Sequence, residues 1–198
     1  MTSEHQRCSD GELAALVIAG TQSAFAEIMR RHRDPLYRLI KGYVGNAEDA
    51  LDLVQDCFVS AYKRLESYDG DRPMRAWLAR IGINKCRDWA RRRAVRRLLF
   101  AAPSSAEADV ADPAPLLDQA AAEKQEFDQL WKMISRLPAT LKEPLILQAI
   151  EGLSQAEIAA VLRISEKAVE TRIYRARKSL MASRAVVSPD TPTWRAEG

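Results

Sequence analysis

Residues 153–182 read LSQAEIAAVLRISEKAVETRIYRARKSLMA, and the fold turns on this stretch. Ser154 followed three residues later by Glu157 is a capping-box pair, in which a hydroxyl and a carboxylate each take up an otherwise unpaired backbone N–H, so a helix begins here. Leu162-Arg163-Ile164 closes that helix in a short turn. Ser165 can cap the next, and Glu166 suits the positive end of a helix starting at that point. At 3.6 residues per turn, Val169, Ile173, Ala176 and Leu180 fall on one stripe, with Lys167, Thr171, Tyr174 and Lys178 opposite and Glu170 and Arg175 beside them. One face buries. The other carries Arg, Thr, Glu and Tyr side chains able to reach base edges, with Arg172, Arg177 and Lys178 for phosphates, as a helix in the DNA major groove requires. The stretch alone leaves open a solvated basic helix on an all-α core.

Upstream, Phe127, Leu130, Trp131, Ile134 and Leu137 predict a helix that stops before Pro138, and Leu141, Leu145, Ile146 and Ile150 predict the next. Before these, residues 100–119 (FAAPSSAEADVADPAPLLDQ) are rich in Ala, Ser, Pro and Asp, a composition unable to bury enough apolar surface to order itself. No Lys or Arg occurs from Leu98 through Glu123. An acidic linker between two helical units is expected.

The first unit opens with a second capping box, Ser9 and Glu12, on a short apolar helix that Gly20 ends. From Thr21 to Val44, Phe25, Ile28, Met29, His32, Leu36, Leu39, Ile40 and Tyr43 recur at helical spacing, with Arg30, Arg31, Arg33, Arg38 and Lys41 outward and Pro35 a point of bending. His32 reads as a satisfied core histidine. Asn46 caps a helix whose buried stripe is expected to be Leu51, Val54, Phe58, Ala61 and Leu65. Glu48 and Asp49 are explained by the helix dipole alone, whereas Asp52, Gln55 and Asp56 lie deeper and suit a partner surface. Residues 68–73 (YDGDRP) form a turn into a basic helix with Leu78, Ala79, Gly82, Ile83, Cys86, Trp89 and Ala90 inward and Arg80, Asn84, Arg87, Asp88 and Arg91 outward. Clustered arginines near aromatics suit a nucleic-acid strand.

The net charge of +3 averages over these segregated basic and acidic segments. The polar start and the lack of a long apolar run predict a soluble, cytoplasmic chain without membrane insertion. Cys8, Cys57 and Cys86 are odd in number and fit no zinc spacing, so reduced thiols, no metal and no cofactor are expected. With two histidines, no phosphate loop and no nucleophile constellation, nothing indicates an enzyme.

The order of these elements resembles the extracytoplasmic-function (group IV) sigma factors of bacterial RNA polymerase, of the sigma-70 family. The resemblance rests on ALDLVQDCF (Ala50 to Phe58), Tyr68-Asp69-Gly70, Trp77-Leu78, Arg80-Ile81, Asn84, Asp88 and Arg91, then Leu137-Pro138, LSQAEIAAVL and AVETRIYRARKSL. It implies an all-α chain of two small helical domains, a region 2 bundle at 9–98 and a region 4 helix-turn-helix at 123–185, with a flexible linker at 99–122 and a disordered tail at 186–198. It further implies that Asp52, Gln55 and Asp56 bind the β′ clamp helices of the polymerase, although Leu51 stands where the family usually carries an acid. Tyr68, Asp69, Gly70, Asp71 and Arg72 would capture a flipped base of the minus-10 element while Arg80, Asn84 and Arg87 hold the opened strand. Lys167, Glu170, Thr171, Arg172, Tyr174, Arg175 and Lys178 would engage the minus-35 duplex. The implied partners are core polymerase through the β′ clamp helices and the β flap, promoter DNA, and an anti-sigma factor. In the linker, Glu107, Asp109 and Asp112 would mimic nucleic acid along the RNA path. The competing reading is a stand-alone helix-turn-helix regulator with a helical ligand-binding or dimerisation domain.

Overall fold

A computed structural model of the chain describes residues 5–99 and 129–187, so the expected linker and tail lie outside the described residues except at their edges. Every described element is helical. Helix α1 (Asp10–Ile18) starts with the reciprocal cap: Glu12 N–H donates to Ser9 Oγ, and Ser9 N–H donates to Glu12 Oε2 at 2.6 Å. Helix α2 (Gln22–Val44) ends at Gly45, whose φ of 79° is open to glycine at little cost. Asn46 Oδ1 then accepts from the N–H groups of Glu48 and Asp49 and opens α3 (Ala47–Lys63). A 3-10 turn (Leu65–Ser67) and the loop 68–73 lead into α4 (Met74–Leu99).

Helix α2 lies at the centre of this first half, packed on α1, α3 and α4. Leu13, Ile28, Leu36, Leu39, Ile40, Leu78 and Ile83 form its fully buried centre. Gly82 lets α4 come close to α2, since a Cβ there would stand 3.1 Å from Leu36 Cδ1. Beyond Ala90, α4 leaves this core, and residues 91–99 are all exposed.

The second half comprises the helical residues 129–136 (α5), α6 (Ala139–Glu151), α7 (Gln155–Leu162) and α8 (Glu166–Val187). Ser154 and Glu157 form the expected capping box of α7, and Ser165 Oγ accepts from Ala168 N–H at the start of α8. Between them Arg163 turns the chain at φ 57°, in the left-handed region. Ile146, Leu147, Ile158, Val169 and Ala176 close this smaller core.

The halves are packed together, which the sequence did not foretell. Helix α2 lies on α6, and α4 lies on α6 and α7. The Trp131 ring sits on Gly42, where any Cβ would overlap it. Lys142 is buried at the seam, its Nζ donating to the carbonyls of Tyr43 at 3.0 Å and Ser135 and standing 4.5 Å from the centre of the Tyr43 ring.

Several expectations need correction. Met29, set among the inward residues of α2, is 38% exposed, and helix α8 runs through Val187, into the tail expected from 186. Leu51 is 44% exposed instead of buried, because the face of α3 gripped by its neighbours is centred on Ala50, Leu53, Val54, Cys57, Phe58 and Ala61. Arg31 does not point outward. Its guanidinium donates to Glu27, to Asp10 and to the carbonyls of His5, Gln6 and Cys8, fastening the segment before α1 onto α2. His32 is satisfied as expected, its Nε2 3.0 Å from Asp10 Oδ2.

Candidate nucleic-acid interface

The loop before α4 is braced from within. The Tyr68 ring is half-buried against Trp77, with centroids 5.3 Å apart and planes at 51°, and its hydroxyl donates to the Arg72 carbonyl. Burial pushes the Tyr68 phenol above its ordinary pKa, so it stays a neutral donor. Asp69 pairs with the Arg72 guanidinium at 3.0 Å and accepts from Asp71 N–H. The loop also rests on a glycine of α1: a Cβ on Gly11 would stand 2.9 Å from the Gly70 carbonyl oxygen, so helix α1 and this loop meet backbone to backbone.

This loop and the first turns of α4 line one side of a cleft of about 670 Å³. Tyr68, Asp69, Arg72, Trp77, Arg80 and Asn84 line it from the first half, and Glu157, Ala160, Val161 and Arg163 close it from α7. Arg80 and Asn84 lie one helical turn apart and exposed on the same face of α4. Arg87 continues that face but is engaged, its Nε and Nη2 donating to Glu143 Oε1 and Oε2 at 2.8 and 2.6 Å. Arg91 pairs with Asp88. The far end of α4 stays basic, and the Arg93 guanidinium lies 5.2 Å over Trp89, whose indole N–H donates to Asp49.

On α8 the buried stripe is Val169, Ile173 and Ala176, with Leu180 half-buried, which turns the opposite face to solvent. Lys167 and Glu170 pair at 2.8 Å, and Thr171 Oγ1 donates to the Lys167 carbonyl, leaving its lone pairs free to accept. Tyr174 is 67% exposed, and Arg175 and Lys178 are exposed beside it. Arg172 is half-buried. Arg177, read as a phosphate contact, donates to Gln148 on α6.

Asp52, Gln55 and Asp56 are exposed on one face of α3, with Lys85 at 4.0 Å from Asp56. Asp49 is taken up by Trp89 and Arg93, in keeping with its exclusion from that surface. Sequence reasoning missed the apolar groove beside these acids: Phe25, Met29, Gln55, Phe58, Val59, Tyr62 and Lys63 line about 310 Å³ of it. The signal was present, since Leu51, Gln55, Val59 and Tyr62 repeat at helical spacing, offset from the buried stripe. Among the described residues, no group of three or more His, Cys, Asp or Glu stands where it could hold a metal ion. None of the described helices is long and apolar enough to cross a membrane. Burial pushes the Cys57 thiol up to about 12 and the Cys86 thiol well above its ordinary value.

Comparison with known proteins places this geometry. Residues 28–96 match the Sigma-70 region 2 family and residues 127–180 match Sigma-70, region 4. The chain is 41% identical over 178 residues to RNA polymerase sigma factor CnrH of Cupriavidus metallidurans, covering 88% of this chain and 93% of that protein. It is 32% identical over 176 residues to ECF RNA polymerase sigma factor SigM of Mycobacterium tuberculosis, covering 89% of this chain and 84% of that one. The solved structure of CnrH in complex with the cytosolic domain of CnrY superposes with a TM-score of 0.67 at 36% identity, over 90% of this chain and 99% of the other.

Proposed function

The chain belongs to the extracytoplasmic-function sigma factors of the sigma-70 family, and on that premise we propose how its surfaces share the work of initiation. As a sigma factor it binds core RNA polymerase and directs transcription from specific promoters. Its first helical domain takes the acidic face of α3 to the polymerase. Asp52, Gln55 and Asp56 supply the polar contacts, and Leu51, Val59 and Tyr62, all exposed, supply the apolar centre that a stable interface needs. Leu51, in a place where an acid was expected, extends that apolar centre.

The loop 68–72 takes an extruded base of the minus-10 element, with Tyr68 and Trp77 as its aromatic wall, and Arg80 and Asn84 carry the strand away along α4. The exposed face of α8 enters the minus-35 major groove. Tyr174, Arg175 and Glu170 are its base readers, and Arg172 and Lys178 contact phosphate. The domains separate at the linker to span both elements. Within the cell the same two surfaces are the target of an anti-sigma factor.

The observation that carries this reading is the presence, on one chain, of an exposed acidic face on α3 and of two separate exposed faces with base-reading and phosphate-binding side chains, on α4 and α8. Core polymerase mixed with the purified chain and a library of genomic promoter fragments tests it. Initiation at a defined subset, absent with either component alone, is expected. Tight duplex binding by the chain alone with no effect on polymerase would refute it.

A further inference from the structure

Glu143 is 3% exposed, yet it carries the carboxylate that grips Arg87 in a bidentate pair across the seam between the two halves. Arg87 continues the line of Arg80 and Asn84 on α4, so the guanidinium that would meet the next phosphate of an opened strand is already occupied. The surroundings hold it there. Tyr43 on α2 points its hydroxyl at the same carboxylate, Lys142 next to Glu143 is tied to the Tyr43 carbonyl, and Trp131 is seated on Gly42, the residue before Tyr43. At the other end of the seam, Arg75 of α4 donates to the Glu151 carbonyl and lies 3.6 Å from Glu157, which brings α7 over the cleft that holds Tyr68, Arg80 and Asn84.

We infer that Glu143 is an intramolecular substitute for a DNA phosphate: it holds the two halves closed by occupying Arg87, and the promoter strand must displace it to bind. This rests on the reading of α4 as the strand-binding face. The closed form places a carboxylate on the cation and a helix beside the base pocket, so the free chain occupies part of its own strand-binding surface while Arg80 and Asn84 stay exposed. Opening releases one cation and one aromatic cleft together. A phosphate has the planar-fork complementarity to guanidinium that a carboxylate has, which makes the exchange a like-for-like replacement of one anion by another.

The full chain and a fluorescein-labelled oligothymidylate of about a dozen nucleotides test the inference, with the radius of gyration from small-angle scattering read in parallel. Glu143→Gln keeps the side-chain volume and removes the charge. Gly42→Ala works sterically from the other side, by displacing Trp131 while leaving Glu143 and Arg87 intact. Both variants are expected to raise the radius of gyration and to tighten strand binding on the order of tenfold, the size of one charge-assisted contact. The slope of log affinity against log salt should steepen by about 0.7, the value for one further phosphate neutralised on a single strand. Adding Arg87→Ala to Glu143→Gln should abolish the gain. An unchanged radius and affinity in both variants would overturn the inference, as would a gain that survives loss of Arg87. Failure of the underlying strand reading shows separately: Arg80→Ala with Asn84→Ala, in the Glu143→Gln chain, would then leave oligothymidylate affinity untouched whatever the scattering reports.

Discussion

Glu151, the last residue of α6, is 8% exposed, and burial raises its carboxyl from an ordinary 4.5 to about 7. Arg75 from α4 and Arg38 from α2 pull the other way without cancelling that burial. A carboxyl raised by folding is easier to protonate in the native chain, so the native state binds more protons than the unfolded one between these two values. Stability therefore falls as pH climbs from about 4.5 to about 7 and is flat on either side. At roughly 1.4 kcal/mol per pH unit, the interval amounts to on the order of 3 kcal/mol, fully absent at pH 4 and fully incurred at pH 8. Glu151→Gln holds the site neutral at every pH. Urea unfolding of both proteins at pH 4 and pH 8 should show near-equal stability in acid and a more stable variant in base, by up to about 3 kcal/mol. Taking the difference removes every other titrating group, since these are common to both chains. A variant whose advantage is the same at pH 4 and pH 8 would refute the reasoning, because the gain would then be packing and not charge.

Glu27 has the opposite sign: hydrogen bonds from Arg30 and then Arg31 hold its carboxyl down to about 2, so its contribution is present above 4.5 and lost as pH falls toward 2. Glu27→Gln should lower the thermal midpoint at pH 6 and leave it nearly unchanged near pH 2. Arg175→Ala should cost on the order of 1 to 3 kcal/mol of minus-35 binding and relax preference at one base position, read by competition among single-base promoter variants; a uniform loss across all of them would make Arg175 a phosphate contact. Replacing Asp52 and Asp56 together by Ala should weaken binding to core polymerase in a pull-down titration, while minus-35 duplex binding is kept. Undiminished core affinity would remove that face of α3 from the polymerase contact.

Local rules carried most of the fold. The caps at Ser9, Asn46, Ser154 and Ser165 were readable because each is settled by side chains within three residues, and the stripe on α8 because one neighbour-facing side leaves a strict 3.6 period. Leu51 was misplaced because α3 is gripped from more than one side, so its buried arc is broad and the period alone does not centre it. Arg31 was misread because an arginine on an outward position looks solvated until the chain before α1 returns to it. The seam was invisible for a deeper reason. Its two sides, Gly42 and Arg87 from the first half and Trp131, Glu143 and Glu151 from the second, are far apart in sequence, and each residue looks ordinary in its own helix. Only the meeting of α4 with α6 turns Glu143 from a helix-surface acid into a buried one.

The turn between α7 and α8 has a consequence for anyone wishing to make this protein more robust. Arg163 holds, at a cost of about 1 kcal/mol, a left-handed φ of 57° that a glycine would adopt freely, so a search for stabilising substitutions would favour Arg163→Gly. The same side chain lines the cleft beside Arg80. Replacing it would trade a positive charge in the cleft of the closed chain for a relaxed turn. At this position the gain in robustness and the loss of a charge are one exchange, and screening by thermal stability alone would select against the charge without registering it.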